Sequence, residues 1–375
     1  MIKTIIKRDG RKEEFNSEKL NGWGIWAASV LGKSVNWGDV VLSAVSTLPE
    51  TCTAEQLQDA LIDTCLSKRT WAYNRMAGRL YAATIYKIAF ANKKLELTDG
   101  VPHVKDLHNL MLKKGILDKS FVKSWTDEEY DAINKMIKHQ LDLTYPFYQI
   151  KQINEKYSLK DRTKKNSLYE TPQFVYMRVA MRMAMNKENR MEHIKKFYKY
   201  FAENKINIPT PYFTNAGTSK NGYNSCCVYK TNDEVASLAA GDHIAYTMTY
   251  SSAGIGSYIQ TRAEGSPIRG GIIEHRGKIG YYRALVGAIQ ANMQNGRGGA
   301  ATVTYDAYDP DVLTLQPLKN SMTPASKQVR GVDYAMAFNR FFVSKAARNE
   351  DIALFDISKA PEVYEALTSG DEKEF

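Results

Sequence analysis

Beyond Pro211 the sequence alternates between short apolar segments and longer segments with helical periodicity. The short segments predict strands at residues 227–229, 255–261, 301–305, 334–338 and 352–355. The longer segments predict helices at residues 234–251, 277–293, 309–315 and 339–348. Strands that alternate with helices along a chain are typical of a parallel sheet with crossover helices. We therefore expect an α/β domain in this part of the chain.

The region before Pro209 has a different pattern. The turn Asp9-Gly10 lies between two segments with strand character, residues 3–7 and 11–15, and predicts a β-hairpin. Four helices are expected to follow it, beginning at Asn16 or Ser17, near residue 39, after Thr53 and near residue 71. Residues 94–208 show mainly helical periodicity, which indicates a helical scaffold.

The composition is that of a globular chain. The 375 residues are 43% hydrophobic and 25% charged, which is enough material for two or three packed domains. No apolar run reaches the ~18 residues of a membrane-spanning helix, and the N-terminal segment MIKTIIKRDG has no apolar signal. We expect a cytoplasmic protein, in the host cytoplasm if the source is a virus, with no membrane partner.

The formal charge of +10 suits an anionic partner, but the lysines are spread along the chain. No zinc finger, RNA-recognition signature or long basic run indicates a nucleic-acid interface. Small anionic molecules fit the charge equally well, and we expect no nucleic-acid partner. A basic nucleic-acid-binding protein is the third hypothesis for this chain, and it would require a salt-sensitive affinity for DNA.

Four cysteines, Cys52, Cys65, Cys226 and Cys227, are too few for a disulfide-built secreted domain. The sequence contains no C-x-x-C and no H-x-x-x-H pair, so we expect no metal site in this chain. The vicinal cysteine pair opens a stretch, residues 225–301, that also contains three glycine-rich turns and several arginines. Thiols close to turns that suit phosphates indicate redox chemistry on a phosphorylated substrate.

Four motifs carry a resemblance to a known family. They are SCCV at residues 225–228, AGIG at 253–256, GSPIRGG at 265–271 and QNGRGGAAT at 294–302. With the N-terminal hairpin and helices, they resemble the large, catalytic subunit of class I ribonucleotide reductases. These oxidoreductases turn ribonucleoside diphosphates into deoxyribonucleoside diphosphates for DNA synthesis. The resemblance covers essentially the whole chain, although a full-length large subunit is about twice as long.

The resemblance implies three domains. Residues 1–93 correspond to an ATP-cone regulatory domain, a hairpin with four helices. Residues 94–208 correspond to a helical domain, and residues 209–375 to the N-terminal half of a ten-stranded α/β barrel.

The resemblance also implies a catalytic residue, Cys227, as one member of the dithiol that reduces the substrate. The implied substrate contacts are Thr210, Cys226, Cys227, Gly254 and Arg297. Cys226 then stands where the family is expected to have a serine before the redox cysteine. The ordinary alternative for a cysteine in an apolar strand is a buried structural residue.

Two allosteric sites are implied in the same way. The specificity site, which would hold a dNTP between two large subunits, comprises Asp233, Glu234, Val235, Arg262, Arg269 and Gln294. Asp233 could equally be a helix N-cap. The activity site, which would bind ATP or dATP, comprises Lys7, Glu13, Glu14, Phe15, Asn16, Ser17, Glu18, Lys19, Thr53 and Lys87.

No cysteine follows Cys227, so the second thiol of the dithiol, the radical cysteine and the C-terminal cysteine pair of the family are absent. We therefore expect this chain to need a complementary C-terminal large-subunit chain. The resemblance implies further partners: a small radical-generating subunit that holds the metal cofactor, thioredoxin or glutaredoxin as reductant, nucleoside diphosphates as substrates, and homodimerisation of the completed large subunit. The main alternative is a stand-alone nucleotide-binding regulatory protein without catalysis.

Overall fold

The computed structural model describes residues 2–90, 93–161, 167–220, 222–251, 253–291, 299–370 and 375. The chain forms two compact units, Met1–Tyr223 and Asn224–Phe375. Each unit has its own buried apolar clusters.

The first unit begins with a small sheet and four helices. The strands are β1 (Thr4–Ile6), β2 (Lys12–Glu14) and β3 (Thr51–Thr53), and the helices are α1 (Ser17–Ala28), α2 (Trp37–Ser46), α3 (Ala54–Ser67) and α4 (Trp71–Phe90). The predicted hairpin of β1 and β2 and the four predicted helices are confirmed. Strand β3, which pairs in parallel with β1, was not predicted. Its three residues are too few to establish a period, and their partner strand is remote in sequence.

Local caps explain where two of these helices start. Asn16 accepts a hydrogen bond from the backbone N–H of Lys19 (2.8 Å) and so caps α1. Thr53 and Gln56 form the predicted capping box at the start of α3, with bonds of 3.0 and 2.8 Å. These caps satisfy backbone N–H groups that have no partner within the helix.

The rest of the first unit is mainly helical. Its elements are the short strand pair β4 (Leu97–Thr98) and β5 (Val101–Pro102), and the helices α5 (Val104–Lys113), α6 (Lys119–Lys123), α7 (Asp127–Met136), α8 (Phe147–Gln152), α9 (Pro172–Ala184), α10 (Arg190–Ala202) and α11 (Thr210–Asn215). Helix α9 lies in the core, with every residue from Pro172 to Met181 buried. Met177 and Met181 are fully buried, as expected for methionines that fill a core.

A buried ion pair crosses this core. The Arg178 guanidinium of α9 donates to both carboxylate oxygens of Glu170, at 2.6 and 3.0 Å. It also donates to the carbonyl oxygens of Phe213 (2.8 Å) and Ala216 (2.6 Å). Arg178 therefore attaches α9 to α11, the helix that starts at Thr210.

The second unit is an α/β layer. Its strands are β6 (Cys226–Lys230), β7 (Gly254–Tyr258), β8 (Pro267–Ile268), β9 (Ile273–Glu274), β10 (Ala301–Asp306) and β11 (Asp333–Ala337), and its helices are α12 (Val235–Tyr250), α13 (Ile279–Ala291), α14 (Val312–Leu315), α15 (Arg340–Ala347) and α16 (Pro361–Ser369). Within the described residues, the main sheet has the order β11-β10-β7-β6 with all pairs parallel. The predicted parallel sheet with crossover helices is therefore confirmed.

The strand predicted at residues 352–355 is wrong. That segment has no ladder, and Phe355 donates one backbone hydrogen bond to Tyr308 just beyond β10 (3.1 Å). Phe355 packs on the ring of Tyr308, so an apolar residue here serves a contact other than a strand ladder.

The two faces of the main sheet differ. One face packs against α12 and α13 and contributes Ile255, Ala301 and Val303 to the core. On the other face, Val228 is 82% exposed. Side chains alternate between these faces along each strand, so the register decides which residues remain accessible.

Asp142 lies at the centre of a buried hydrogen-bond network in the first unit. Its carboxylate accepts from the Tyr86 hydroxyl (2.7 Å) and from the Gln173 amide (2.9 Å), and Tyr198 donates to the same amide group of Gln173 (2.6 Å). These partners are all neutral. Burial raises the pKa of Asp142 to about 7, although the hydrogen bonds from Gln173 and Tyr86 act in the opposite direction.

Folding therefore takes up a proton at Asp142 between the ordinary pKa of 3.8 and about 7. Because the folded state binds more protons than the unfolded state in this window, the free energy of unfolding falls as the pH rises through it. Asp142→Asn removes the titrating group, so the decrease between about pH 4 and pH 8 should shrink by a few kcal/mol. Urea unfolding at several pH values measures this slope, and an unchanged slope would contradict the raised pKa.

Candidate functional site

The vicinal cysteines lie at the start of β6, on opposite faces of the sheet. Cys227 is half-buried and packs against the apolar core on the helix-covered face. Cys226 is exposed and lies on the same face as Val228. Because consecutive strand residues alternate between faces, only Cys226 presents its thiol to the open side.

The neighbours of Cys226 come from its own loop and from β7. Cys226 is in register with Gly254, and the Gly254 N–H donates to the Ser225 carbonyl oxygen (2.8 Å). The Ser225 hydroxyl donates to Cys226 Sγ across 3.8 Å. A methyl group at Gly254 would lie 3.8 Å from Cys226 Sγ, in ordinary contact, so the glycine leaves that side of the sulfur open.

The two cysteines therefore differ in how accessible their thiols are. Cys226 stands where the resemblance implies a serine, and its thiol lies on the open face of the sheet. Cys227, the residue predicted to be catalytic, faces the core instead. The sequence does not show which face of the sheet each cysteine occupies, because that depends on the strand register.

Asp233 and Arg262 form the centre of the candidate specificity site. Arg262 Nε donates to Asp233 Oδ2 (2.7 Å), and the Arg262 backbone N–H donates to Asp233 Oδ1 (3.2 Å). The N-cap position of α12 belongs to Glu234, whose side chain makes no capping bond, so the N-cap alternative for Asp233 is wrong. Val235 begins α12 and is 82% exposed.

Arg269 lies in the turn between β8 and β9. Its φ is 50°, and those of Gly270 and Gly271 are 69° and 89°, so three successive residues have left-handed backbone. Glycine makes such a run possible at little steric cost. Arg269 is exposed, and Arg262 Nη1 donates to the Pro267 carbonyl oxygen at the base of this hairpin (3.0 Å).

Two predicted residues, Gln294 and Arg297, lie outside the described residues. Gly299, at the end of the same motif, is described and has a clear structural requirement. A Cβ atom there would overlap with the carbonyl oxygen of Ile289 in α13. Glycine therefore lets the segment before β10 pass close to the helix backbone.

In the first unit, two of the predicted activity-site residues, Lys7 and Lys19, pair with a third, Glu13. Lys7 Nζ and Lys19 Nζ lie 3.2 and 2.9 Å from the two carboxylate oxygens of Glu13. Hydrogen bonds from Lys19 and then Lys7 hold the pKa of Glu13 below its usual range. The remaining residues occupy the hairpin exit and the start of α1: Glu14 in β2, Phe15 packed on the core, Asn16 as N-cap, and Ser17 and Glu18 in the first turn.

Lys87 on α4 lies among other cations. Its ammonium group is 5.1 Å from the centre of the Trp23 ring, and Trp23 stacks on Trp26. Burial, and then the charges of Arg8 and Lys7, lower the pKa of Lys87. Sequence reasoning missed Arg8 and Trp23, although Arg8 adjoins Lys7. Thr53 acts in this structure as the cap of α3.

Thr210 is the first residue of α11, which Arg178 anchors within the first unit.

Among the residues that the structure describes, no group of three or more His, Cys, Asp or Glu side chains could hold a metal ion. In the same part of the chain, no helix is long and apolar enough to span a membrane.

Comparison with known proteins gives two family matches. Residues 144–221 match the ribonucleotide reductase all-alpha domain, and residues 224–375 match the ribonucleotide reductase barrel domain. The chain is similar to ribonucleoside-diphosphate reductase 1 subunit alpha of Escherichia coli, with 30% identity over 99% of this chain and 48% of the relative. It is also similar to the subunit alpha of Enterobacteria phage T4, with 27% identity over 94% of this chain and 46% of the relative. The chain thus spans about half the length of the curated relatives it matches.

Proposed function

Because this chain belongs to the family of ribonucleotide reductase large subunits, we propose that it is the N-terminal portion of a ribonucleoside-diphosphate reductase. It carries one redox-active cysteine and two nucleotide-effector sites. The observation that supports catalysis best is the accessible thiol of Cys226, flanked by Ser225 and the Gly254 backbone.

In the proposed reaction, Cys226 is one thiol of the pair that reduces the ribose. The C2′–O bond breaks and a C2′–H bond forms. The two thiols lose two hydrogens, one to the hydroxyl, which leaves as water, and one to C2′, and their sulfurs join in one disulfide. The second thiol and the radical cysteine come from a C-terminal segment, since no cysteine follows Cys227 in this sequence. Ser225 donates a hydrogen bond to the sulfur, and this contact orients the thiol. Thr210 and Arg297 stay predicted substrate contacts.

The adjacent cysteines provide a matched pair of variants. Cys226→Ser should abolish dithiol-dependent reduction of a nucleoside diphosphate by the complete enzyme, because the electron-donating sulfur is lost. Cys227→Ser changes the same atom on the core face and should retain most of the activity. Deoxyribonucleotide formation is measured with the radical-generating subunit, the C-terminal segment and thioredoxin or a chemical dithiol. Loss of turnover in Cys227→Ser alone would instead support Cys227 as the catalytic residue.

The specificity site is proposed around Asp233 and Arg262. Arg262 uses Nε for Asp233 and Nη1 for Pro267, so its guanidinium is held in one orientation with its remaining donors directed elsewhere. A planar arginine held in this way suits the phosphate of a dNTP. Arg269, in its exposed glycine-rich turn, supplies a second cation. In the family pattern this site lies between two large subunits, so effector binding implies dimerisation of the completed subunit.

The activity site for ATP or dATP is proposed at Lys7, Arg8 and Lys87. Burial, and then the charges of Arg8 and Lys7, lower the pKa of Lys87, and a bound polyanion would relieve the repulsion between these cations. The stacked Trp23 and Trp26 rings offer an aromatic surface beside Lys87. Lys19 and Glu13 fix the hairpin exit next to this group.

Lys87→Met should weaken the binding of ATP and dATP by about tenfold, because a partly buried cation contributes a charge-assisted contact of at least about 1.4 kcal/mol. Lys3→Met is the matched control. Lys3 pairs with Glu50 on the surface, 3.0 Å away, and its loss should leave nucleotide affinity unchanged. Isothermal titration calorimetry measures the nucleotide affinity of both variants. Equal affinities in the two variants would contradict a nucleotide site at Lys87.

A complementary chain is proposed because the second unit exposes apolar surface where its sheet ends. Val228 on β6 is exposed, and so are Phe338, which follows β11, and Phe341 and Val343 on α15. Strands β6 and β11 are the outer strands of the described sheet, and such edges pair readily with further strands. We propose that the C-terminal half of a large subunit covers these residues and completes the barrel.

Affinity purification of the chain from its source, followed by mass spectrometry, tests this proposal. A stoichiometric partner with the C-terminal part of a large subunit, including its radical cysteine, is the expected result. Small radical-generating subunits and thioredoxin or glutaredoxin should associate more weakly. Recovery of the chain alone with bound nucleotide would contradict the split enzyme and favour a regulatory nucleotide-binding protein.

A further inference from the structure

The loop between β7 and β8, residues 259–266, is fixed from two sides by charged groups. On one side, Asp233 binds both the backbone and the guanidinium of Arg262. On the other side, Lys278, which is 4% exposed, donates to the Thr261 carbonyl oxygen (2.9 Å) and pairs with Asp309 (2.8 Å). The backbone that carries Arg262 is therefore attached at successive residues.

A further attachment comes from Asp356, which is remote in sequence and 7% exposed. Its Oδ2 atom accepts from the Ala263 backbone N–H (2.9 Å) and from the Ser266 hydroxyl (2.5 Å). Its Oδ1 atom accepts from the backbone N–H and the hydroxyl of Ser358, both at 2.7 Å. One carboxylate thus joins the loop of residues 259–266 to the segment that leads into α16.

The electrostatics of Asp356 fit a fixed, charged anchor. Burial by itself would raise its pKa, but the hydrogen bonds from Ser266, Ser358 and Ala263 outweigh burial and lower the pKa to about 2. The carboxylate is therefore ionised at neutral pH. Hydrogen bonds to an ionised acceptor are about twice as strong as those between neutral groups. Ala263 and Ser266, the two loop residues that it binds, are themselves buried.

We propose that Asp356 is a positioning residue for effector recognition, holding residues 262–266 so that Arg262 meets a nucleotide phosphate in one orientation. This inference rests on the proposed dNTP site at Asp233 and Arg262. Asp356 makes no contact with the nucleotide and acts through the backbone of Ala263 and the hydroxyl of Ser266. By linkage, nucleotide binding at Arg262 also stabilises the attachment of residues 356–360 to the loop.

Two serines allow a matched test, because each donates its hydroxyl to the same carboxylate from a different side. Ser266→Ala removes the bond on the loop side, and Ser358→Ala removes the bond on the side of α16. Asp356→Asn weakens the hydrogen bonds on both sides of the carboxylate. The dissociation constant for dTTP is measured by calorimetry on the full chain together with any chain that co-purifies with it, and the unfolding temperature is measured on the same samples.

Asp356→Asn should raise the dTTP Kd about tenfold and Ser266→Ala several-fold, since each variant loses a charge-assisted hydrogen bond between the loop and residue 356. Ser358→Ala should leave the Kd within about twofold while lowering the unfolding temperature as Ser266→Ala does. Equal effects of the two serine variants on Kd, or an unchanged Kd in Asp356→Asn, would overturn the positioning role. If the unsubstituted protein binds no dTTP, the proposed effector site itself fails, which is a distinct result.

Discussion

The parallel register between β6 and β7 determines which thiol of the second unit is accessible. It places Cys226 opposite Gly254 and Cys227 opposite Ile255. Since the pleat alternates side chains between faces, a shift of one residue would exchange the faces of the two cysteines and bury the Cys226 thiol. The accessible sulfur, its serine neighbour and the open side at Gly254 all follow from this one pairing.

The same strands separate the two candidate sites of the second unit. Cys226 and Gly254 begin β6 and β7, whereas Asp233 and Arg262 follow the ends of those strands. Five residues of strand extend about 13 Å from first to last Cα. An effector bound at Arg262 and a substrate at Cys226 would therefore not share contacts through β6 or β7. Their coupling requires the loops and the strand pairing between them.

In the first unit, buried charged and polar side chains specify how the helices pack. The Glu170–Arg178 pair is fully buried, and Arg178 also satisfies two carbonyl oxygens near α11. Such a pair adds little net stability, because desolvation offsets the attraction, but losing one partner leaves an uncompensated charge. The pair thus favours a single placement of the helix that starts at Thr210. Asp142 likewise fixes the packing of the helices around it, through hydrogen bonds from the neutral groups of Tyr86 and Gln173.

The sequence by itself determined the helices with strong caps, such as those at Asn16 and Thr53, and the alternation that makes the second unit a parallel sheet. These features depend on neighbours within a few residues, where side-chain chemistry and periodicity are visible. Tertiary structure decided the pairing of β3 with β1, the face on which each cysteine lies, the ion pair of Asp233 with Arg262, and the anchoring of Ala263 by Asp356. Each of these joins residues that are distant in sequence or depends on strand register, and local pattern contains no information about either.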